Sequence, residues 1–223
     1  MYRYPGYTMP STSPAKSPGT IEVLGEGATT VTPNQAVIVL GAITEGSVLP
    51  STQSDNAKII TNVINSLLHL NIPREKIQTY DYDIQTQYDY QEGKQIFRGY
   101  KVTHLLQITN EVVEQTGIIV DAAVAQGANH ITSISFTTSH PEFHKNAALS
   151  HAIQNAYQKA MTIAAAMGVT LLTVPSRVQE VFGAAEPTPY AASLSLKSAV
   201  TPIQTGQLTI QAKVRVWYLF AER

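Results

Sequence analysis

The sequence predicts an α+β protein, a mainly antiparallel sheet with long covering helices, and three observations carry that reading. The first is the alternation in Thr79–Asn110. From Tyr80 to Tyr90 the even positions are Tyr80, Tyr82, Ile84, Thr86, Tyr88 and Tyr90, and the odd ones between them are Asp81, Asp83, Gln85, Gln87 and Asp89. Such a pattern is a strand with one covered and one wet face. After a polar break containing Gly93 the parity returns at Tyr100, Val102, His104, Leu106 and Ile108, which makes two strands of a hairpin. The second observation is the closing stretch, where Leu208, Ile210, Ala212, Val214, Val216, Tyr218 and Phe220 alternate with polar residues. The third is a pair of long helical patterns, Thr52–Leu70 and about Pro141–Met167, which are the segments able to cover the aromatic face.

Taken in order, Thr20–Glu26 reads as a short strand ending in a turn at Gly25 and Gly27, and Gln35–Thr44 as an inner strand rich in β-branched residues. The helix that follows is expected to be capped by Ser54 or Asp55, to bury Ala57, Ile60, Ile64 and Leu67, and to stop at Asn71 before Pro73. Asn110–Gln126 reads as a helix capped by Asn110 and ended by Gly127, and His130–Thr138 as a strand. In the longest helix the expected buried stripe is Leu149, Ile153, Ala156, Ala160, Ile163 and Met167, while its many alanines permit close approach of a neighbouring backbone. On that orientation Ile153→Asp should unfold the protein. Val169–Phe182 reads as a strand, and Gly183–Gly206, with three prolines, as a long irregular connection. The order strand, helix, strand, strand occurs over 35–108 and again over 130–220, compatible with an internal duplication that residue identity is too low to establish.

Composition narrows the function classes. A chain of 223 residues, 43% of them hydrophobic, buries a substantial core. With 15 Lys+Arg against 16 Asp+Glu and no basic block, nucleic acid and membrane surfaces are disfavoured as partners. The absence of cysteine removes disulfides, thiolate nucleophiles and Cys-based zinc sites. Residues 1–18, with four prolines, are expected to be a disordered tail ahead of a domain at 19–223. They show no secretory signal, so the sequence as it stands reads as cytoplasmic, with no segment apolar enough for membrane insertion.

Candidate chemistry is sparse. Four of the six histidines fall between His130 and His151, and His140, His144 and His151 have the spacing of one helix face, which would suit a zinc-like metal. The competing account is a polar, solvated helix face. No serine lies in a G-x-S-x-G elbow, so a hydrolase is a distant reading, and no cofactor is implied. Gly25 and Gly27 lack the third glycine of a dinucleotide loop. Asp81, Asp83 and Asp89 line a strand face that is more simply a solvated one. Tyr80, Tyr82, Tyr88, Tyr90 and Tyr100 have the makings of a stacking platform, but packing as core or subunit interface uses the same residues and is the favoured expectation.

These elements resemble the SIMPL domain (DUF541) family. The resemblance rests on GTIEVLGEGATTVTPNQAVIVLGA, IQTYDYDIQTQYDY, GYKVTHLLQI, VDAAVAQGANHITSISF, NAYQKAMTIAAAMGV and PIQTGQLTIQAKVRVWY, which run in order from Gly19 almost to the end. Pro33–Asn34 stands where the family commonly has Pro-Asp. The resemblance implies a non-enzymatic, self-associating α+β protein, a dimer or a larger ring, linked to oxidative-stress protection or to protein interaction, and in the family commonly exported or periplasmic. It supplies no catalytic residues. The rival reading is a small-ligand or metal-binding module built on His140, His144 and His151.

Overall fold

The computed structural model describes residues 19–181, 188–190 and 201–222, so the expected tail at 1–18 and most of the expected irregular connection lie outside the described residues. The chain runs β1 (Gly19–Val31), β2 (Gln35–Gly46), α1 (Leu49–His69), β3 (Ile77–Gln91), β4 (Lys94–Asn110), α2 (Thr116–Ala125), β5 (His130–Thr137), α3 (Pro141–Met167), β6 (Thr170–Leu171), β7 (Arg177–Glu180), β8 (Thr188–Tyr190) and β9 (Gln207–Ala221). Every strand pair with a described register is antiparallel, which makes the fold α+β as expected. Contacts divide the chain into two compact units, one of Ala28–Ala148 with Ala184–Gln211 and one of Met1–Gly27, Leu149–Gly183 and Ala212–Arg223.

In the first unit a sheet of order β3-β4-β2-β5 is built around β2. The β-branched run at 35–44 is an inner strand as predicted. It pairs with β4 from Ala36↔Asn110 to Gly46↔Tyr100 and with β5 from Gln35↔Thr137 to Gly41↔His130. One face presents Ile38, Leu40 and Ala42 of β2 with Leu106 and Ile108 of β4. These pack under Ile60, Val63 and Leu67 of α1 and Ile119, Val120 and Ala123 of α2 in one buried cluster. At ~25 cal/mol per Å² of apolar surface removed from water, such a cluster is the main source of stability in the unit.

α1 departs from its expected frame at two places. It starts at Leu49 rather than at 52, because Pro50 is tolerated in a first turn whose N–H groups have no helical partner, and Ser51 and Thr52 donate their hydroxyls to the Val48 carbonyl at 2.9 Å. Ser54 and Asp55 are therefore inside the helix, not its cap. The buried stripe is Thr52, Asn56, Ile60, Val63 and Leu67, whereas Ala57 is exposed and Ile64 half-buried. Two polar residues continue the apolar stripe, which hydrophobicity alone assigns to the wrong side. Asn56 is 1% exposed, and its amide donates to the carbonyls of Ala42 at 3.0 Å and Val102 at 3.2 Å. It thus satisfies one buried acceptor on each of the two central strands. The helix ends as predicted, with Asn71 in the left-handed region at φ 61°.

The helix expected from Asn110 begins later. The Asn110 side chain forms a local turn with the Val112 backbone, a 3-10 turn covers Val113–Gln115, and α2 follows at Thr116. Gly127 closes it at φ 99° as expected.

His104, on the α1 side of β4, lies opposite Ala42 and Tyr82, with its ring 5.1 Å edge-on from that of Tyr82 and Nε2 3.4 Å from the Thr79 hydroxyl. Burial pushes its pKa below the ordinary 6.5.

In the second unit β1 and β6 flank β9, and β7 also pairs with β9. Leu208, Ile210, Ala212, Val214, Val216 and Tyr218 are buried along one side of β9, as its alternation predicts. β1 contains no turn: it continues to Val31, and Gly25 serves a different purpose. A Cβ on Gly25 would overlap the Ala152 carbonyl oxygen and stand 2.7 Å from the Ala156 Cβ, so α3 lies directly on the strand backbone. The buried positions of α3 are accordingly Ala148, Ala152, Ala156, Ala160 and Ala164, of which Ala156 and Ala160 belong to the expected stripe. Ile153 is 41% and Met167 54% exposed, and Ile163 and Met161 are exposed too, which corrects the expected stripe. Small residues win because a helix this close has no room for branched side chains. Asn155 Oδ1 accepts from the Glu26 N–H at 3.1 Å, and Lys159 Nζ donates to the Leu24 carbonyl at 2.8 Å, so α3 side chains satisfy the free edge of β1.

The outer face of this sheet carries exposed ion pairs, Lys213–Glu26 at 2.9 Å and Arg215–Glu22 at 3.4 Å, with Arg177 4.8 Å over the ring of Trp217. The strand expected over Val169–Phe182 is split into β6 and β7 around Pro175, which has no N–H for the ladder. Of the expected loop at 183–206, β8 pairs with the start of β9, and 201–206 has no regular structure. The order strand, helix, strand, strand does recur, yet β5 pairs with β2 while β6, β7 and β9 belong to the other sheet.

Three outcomes follow for stability. In urea unfolding, Ala156→Leu should cost about 1–3 kcal/mol by overpacking against β1, and Ile153→Asp about 1 kcal/mol or less; the reverse ranking would show that the large residues are the buried ones. Asn56→Asp replaces the donor to two buried carbonyls with an acceptor and should cost at least about 3 kcal/mol in the same measurement. His104 favours its neutral form when folded, so its contribution is fully present above the unfolded value of 6.5 and is lost as pH falls from there through its lower folded value. His104→Gln should remove that part of the acid-side loss in a melting-temperature series, and an unchanged pH profile would exclude His104 as its source.

Candidate functional site

The hairpin of β3 and β4 is where the sequence departs from what a simple core demands. Its turn is two residues long, Glu92 at φ 50° and Gly93 at φ 77°, between the paired Gln91 and Lys94. Two left-handed residues in succession match the right-handed twist of the strands. Two bulges interrupt the ladder, one at Tyr80 and one that leaves Arg98 unpaired between Gln87↔Gly99 and Tyr88↔Phe97. The second bulge changes the parity of β4, and Phe97 joins the face of Tyr100, with ring centroids 5.2 Å apart, while Tyr88 meets Phe97 at 5.9 Å.

The aromatic face expected to be core is largely uncovered. Tyr80 is 56% and Tyr90 75% exposed, and Tyr82, Ile84, Tyr88 and Phe97 are exposed as well. Only Tyr100 is half-buried. α1 packs over β2 and β4, and it touches this row where Gln53 Nε2 donates to the Tyr82 hydroxyl at 2.8 Å. β3 is at the end of the sheet, so among the described residues its outer backbone edge has no strand partner. Since β2 ends at Gly46, opposite Tyr100, the hairpin beyond Gly99 is a two-stranded arm about 13 Å long.

At the base of that arm a cleft of about 200 Å³ is lined by Glu45, Gly46, Ser47, Gln87, Arg98, Gly99 and Tyr100. Close approach of two glycines shapes it. A Cβ on Gly99, at φ 153°, would stand 2.7 Å from the Gly46 carbonyl oxygen, and one on Gly46 would overlap the Thr52 hydroxyl. Arg98 lies between two carboxylates, Glu45 at 3.5 Å and Asp89 at 4.0 Å. Sequence reading missed this group; the Arg-Gly-Tyr at the hairpin base and the Gly-Ser just before α1 were its visible signs, but their meeting depends on strand register.

The three histidines singled out by spacing take separate roles. His140 precedes α3 and its Nδ1 is 2.8 Å from the Ser139 hydroxyl, which also receives a hydrogen bond from Asn34 at 3.0 Å. The Asn34 side-chain Oδ1 accepts from the Ser139 N–H at 2.8 Å, so the residue after Pro33 ties the strand to the start of the helix. His144 packs edge-on against Phe143 at 5.3 Å, and His151 is exposed on α3. Among the described residues, no three of His, Cys, Asp or Glu are grouped to hold a metal ion, and this includes Asp81, Asp83 and Asp89. No helix among them is long and apolar enough to cross a membrane.

The chain is similar in sequence to known bacterial proteins. The chain is 29% identical over 159 residues to the "26 kDa periplasmic immunogenic protein" of Brucella abortus (strain S19), covering 69% of this chain and 64% of that protein. It is 33% identical over 100 residues to "Uncharacterized protein YggE" of Escherichia coli (strain K12), covering 44% and 41%. The matched region thus spans less than two thirds of the length of these relatives. The model of the SIMPL family, "Protein of unknown function (DUF541)", matches residues 21–218. No enzymatic family is indicated, and with the match covering nearly the whole described chain, the protein belongs to the SIMPL (DUF541) family.

Proposed function

We propose that the protein acts by self-association rather than by turnover, with the free edge of β3 and the projecting arm as the surface that meets a second copy. The observation that supports this reading is the 15-residue β3 strand, which pairs on one side only and shows Tyr80, Tyr82, Tyr88 and Tyr90 to solvent. An open strand edge is a template for another chain, and a formal charge of −1 opposes pairing only weakly. The Ala-rich face of α3, whose small residues would also admit a neighbouring backbone, is already occupied by β1 within the chain. A dimer is the minimum product and a closed ring the larger one. The printed name of the Brucella relative supports an exported, periplasmic setting over a cytoplasmic one. Stress protection or contact with other proteins then operates through these surfaces.

Light scattering and native mass spectrometry test it. A multiple of 24.2 kDa is expected, falling toward the monomer in a Tyr88→Lys, Tyr90→Lys double variant that retains the parent circular dichroism. A mass that holds at 24.2 kDa across concentration rejects self-association, and one bound metal ion per chain would move the metal-binding reading to first place.

A further inference from the structure

The sheet that carries the open β3 edge has another open edge at its far side, and the two match. β5 pairs with β2 from Gln35↔Thr137 to Gly41↔His130, and among the described residues no strand lies along its outer side. The sheet has four strands and all of its pairs are antiparallel, so β3 and β5 run in opposite directions. A second copy laid beside the first, without being turned over, therefore brings its β5 antiparallel to β3. The ladder crosses the boundary with the hydrogen-bond pattern that it has within the chain, whereas an odd number of strands would force a parallel pair at that seam.

The two faces of the sheet also continue across the boundary. Residues directly opposite each other in an antiparallel pair share a face. Ile131, Ile134 and Phe136 of β5 thus lie on the helix side with Leu40, Ile38 and Ala36 of β2. Tyr82 and Ile84 of β3 are on that side too, opposite His104 and Val102 of β4. The apolar row of β5 extends the aromatic row of β3, and the helices of the second copy arrive on the side where the tyrosines are bare. On the other side Asp81 and Asp83 of β3 meet the face of Ser133 and Ser135.

Charge separates this arrangement from the pairing of β3 with itself. β3 carries Asp81, Asp83 and Asp89 and no lysine or arginine. Two β3 strands joined edge to edge and antiparallel are related by a two-fold axis normal to the sheet, which keeps the same face uppermost. Three carboxylates of one copy would then lie beside three of the other, and like charges across a strand boundary oppose pairing. Arg98 reaches Asp89 at 4.0 Å, but neither Asp81 nor Asp83 has an ion pair among the described residues. β5 has no carboxylate. Across the sheet His130 is level with Gly41, Gly41 with Leu105, and Leu105 with Asp81. A repeat without shift along the strands thus sets the imidazole of one copy beside Asp81 of the next.

Resting on the assembly reading above, we propose that the partner of the β3 edge is the β5 edge of the next copy, joined antiparallel with Asp81 and Asp83 on the side of His130. Each copy contributes one edge of each kind, so the contact is heterologous, and copies add until the last β5 meets the first β3.

Light scattering over a dilution series tests it on the parent, His130→Glu, His130→Lys, and His130→Glu combined with Asp81→Lys, each with the circular dichroism of the parent. His130→Glu should raise the dissociation constant about tenfold and His130→Lys lower it about threefold. Adding Asp81→Lys to His130→Glu should bring it back to about the parent value. If His130→Glu fails to fold, His130→Lys alone carries the comparison, and assembly no tighter than the parent's overturns the proposal. An oligomer indifferent to both His130 substitutions excludes β5 from the interface, and one weakened by glutamate and lysine alike excludes an acidic neighbour. Either result overturns this pairing and leaves assembly through β3 standing. A chain that stays monomeric at every concentration instead fails the assembly reading, and this pairing with it.

Discussion

A helix is about 10 Å across with its side chains, and strands are spaced about 4.8 Å apart, so one helix roofs two strands and little more. That limit governs the sheet around β2. α1 lies over β2 and β4, anchored by the Asn56 amide that bonds one carbonyl on each, and α2 adds Ile119, Val120 and Ala123 to the same cluster. Along the end strand, β3, Ile77 packs against that cluster and Gln53 hydrogen-bonds Tyr82, while Tyr80, Tyr82, Tyr88 and Tyr90 stay exposed. Its tyrosines stay exposed because no helix remains to cover them, and they are tolerated there because a phenol has an apolar body and a polar tip. The bare aromatic row, the open edge and the projecting arm are consequences of one helix being too narrow for the sheet it covers.

The α3 unit meets its covering problem by a different route. Ala152, Ala156, Ala160 and Ala164 bring the helix onto Gly25 so closely that the polar side chains Asn155 and Lys159 reach the backbone of β1 and satisfy its free edge. Small residues here set the distance, and the distance lets two helix side chains bond the backbone of β1 at Leu24 and Glu26. Two of the end strands thus differ: β1 has its Leu24 carbonyl and Glu26 N–H bonded by side chains of a helix, whereas β3 has no strand along its outer edge among the described residues.

These features differ in how far the sequence reveals them. The hairpin, the inner strand at 35–44, the extent of α3 and the left-handed stops at Asn71, Gly127 and Gly168 follow from local patterns, and the structure agrees. Alternation shows that two faces of a strand differ but not which is covered, and for Tyr80 to Tyr90 the amphipathic ring leaves that choice to the rest of the fold. In α3, Ile153, Ile163 and Met167 advertise themselves by size, while the determinant is a glycine more than a hundred residues earlier in the chain, Gly25. The stripe of α1 includes a buried amide that no hydrophobic pattern signals. The cleft escapes sequence reading altogether, because it exists only where register brings Gly46 to Gly99 and a bulge turns Phe97 toward Tyr100.

The Arg177–Trp217 contact has a practical side. Trp217 is the sole tryptophan of the chain, and it sits on β9 beneath a guanidinium, in the unit that contains α3. Indole emission therefore reports the surroundings of β7 and β9 alone. Tyrosine absorbance and near-ultraviolet dichroism arise from both units, from Tyr80, Tyr82, Tyr88, Tyr90 and Tyr100 of the hairpin and from Tyr157 and Tyr218 of the unit that holds Trp217. Tryptophan emission follows the unit of Trp217 and tyrosine signals follow both, so a denaturation in which the two signals fail to coincide shows that the units lose structure in turn.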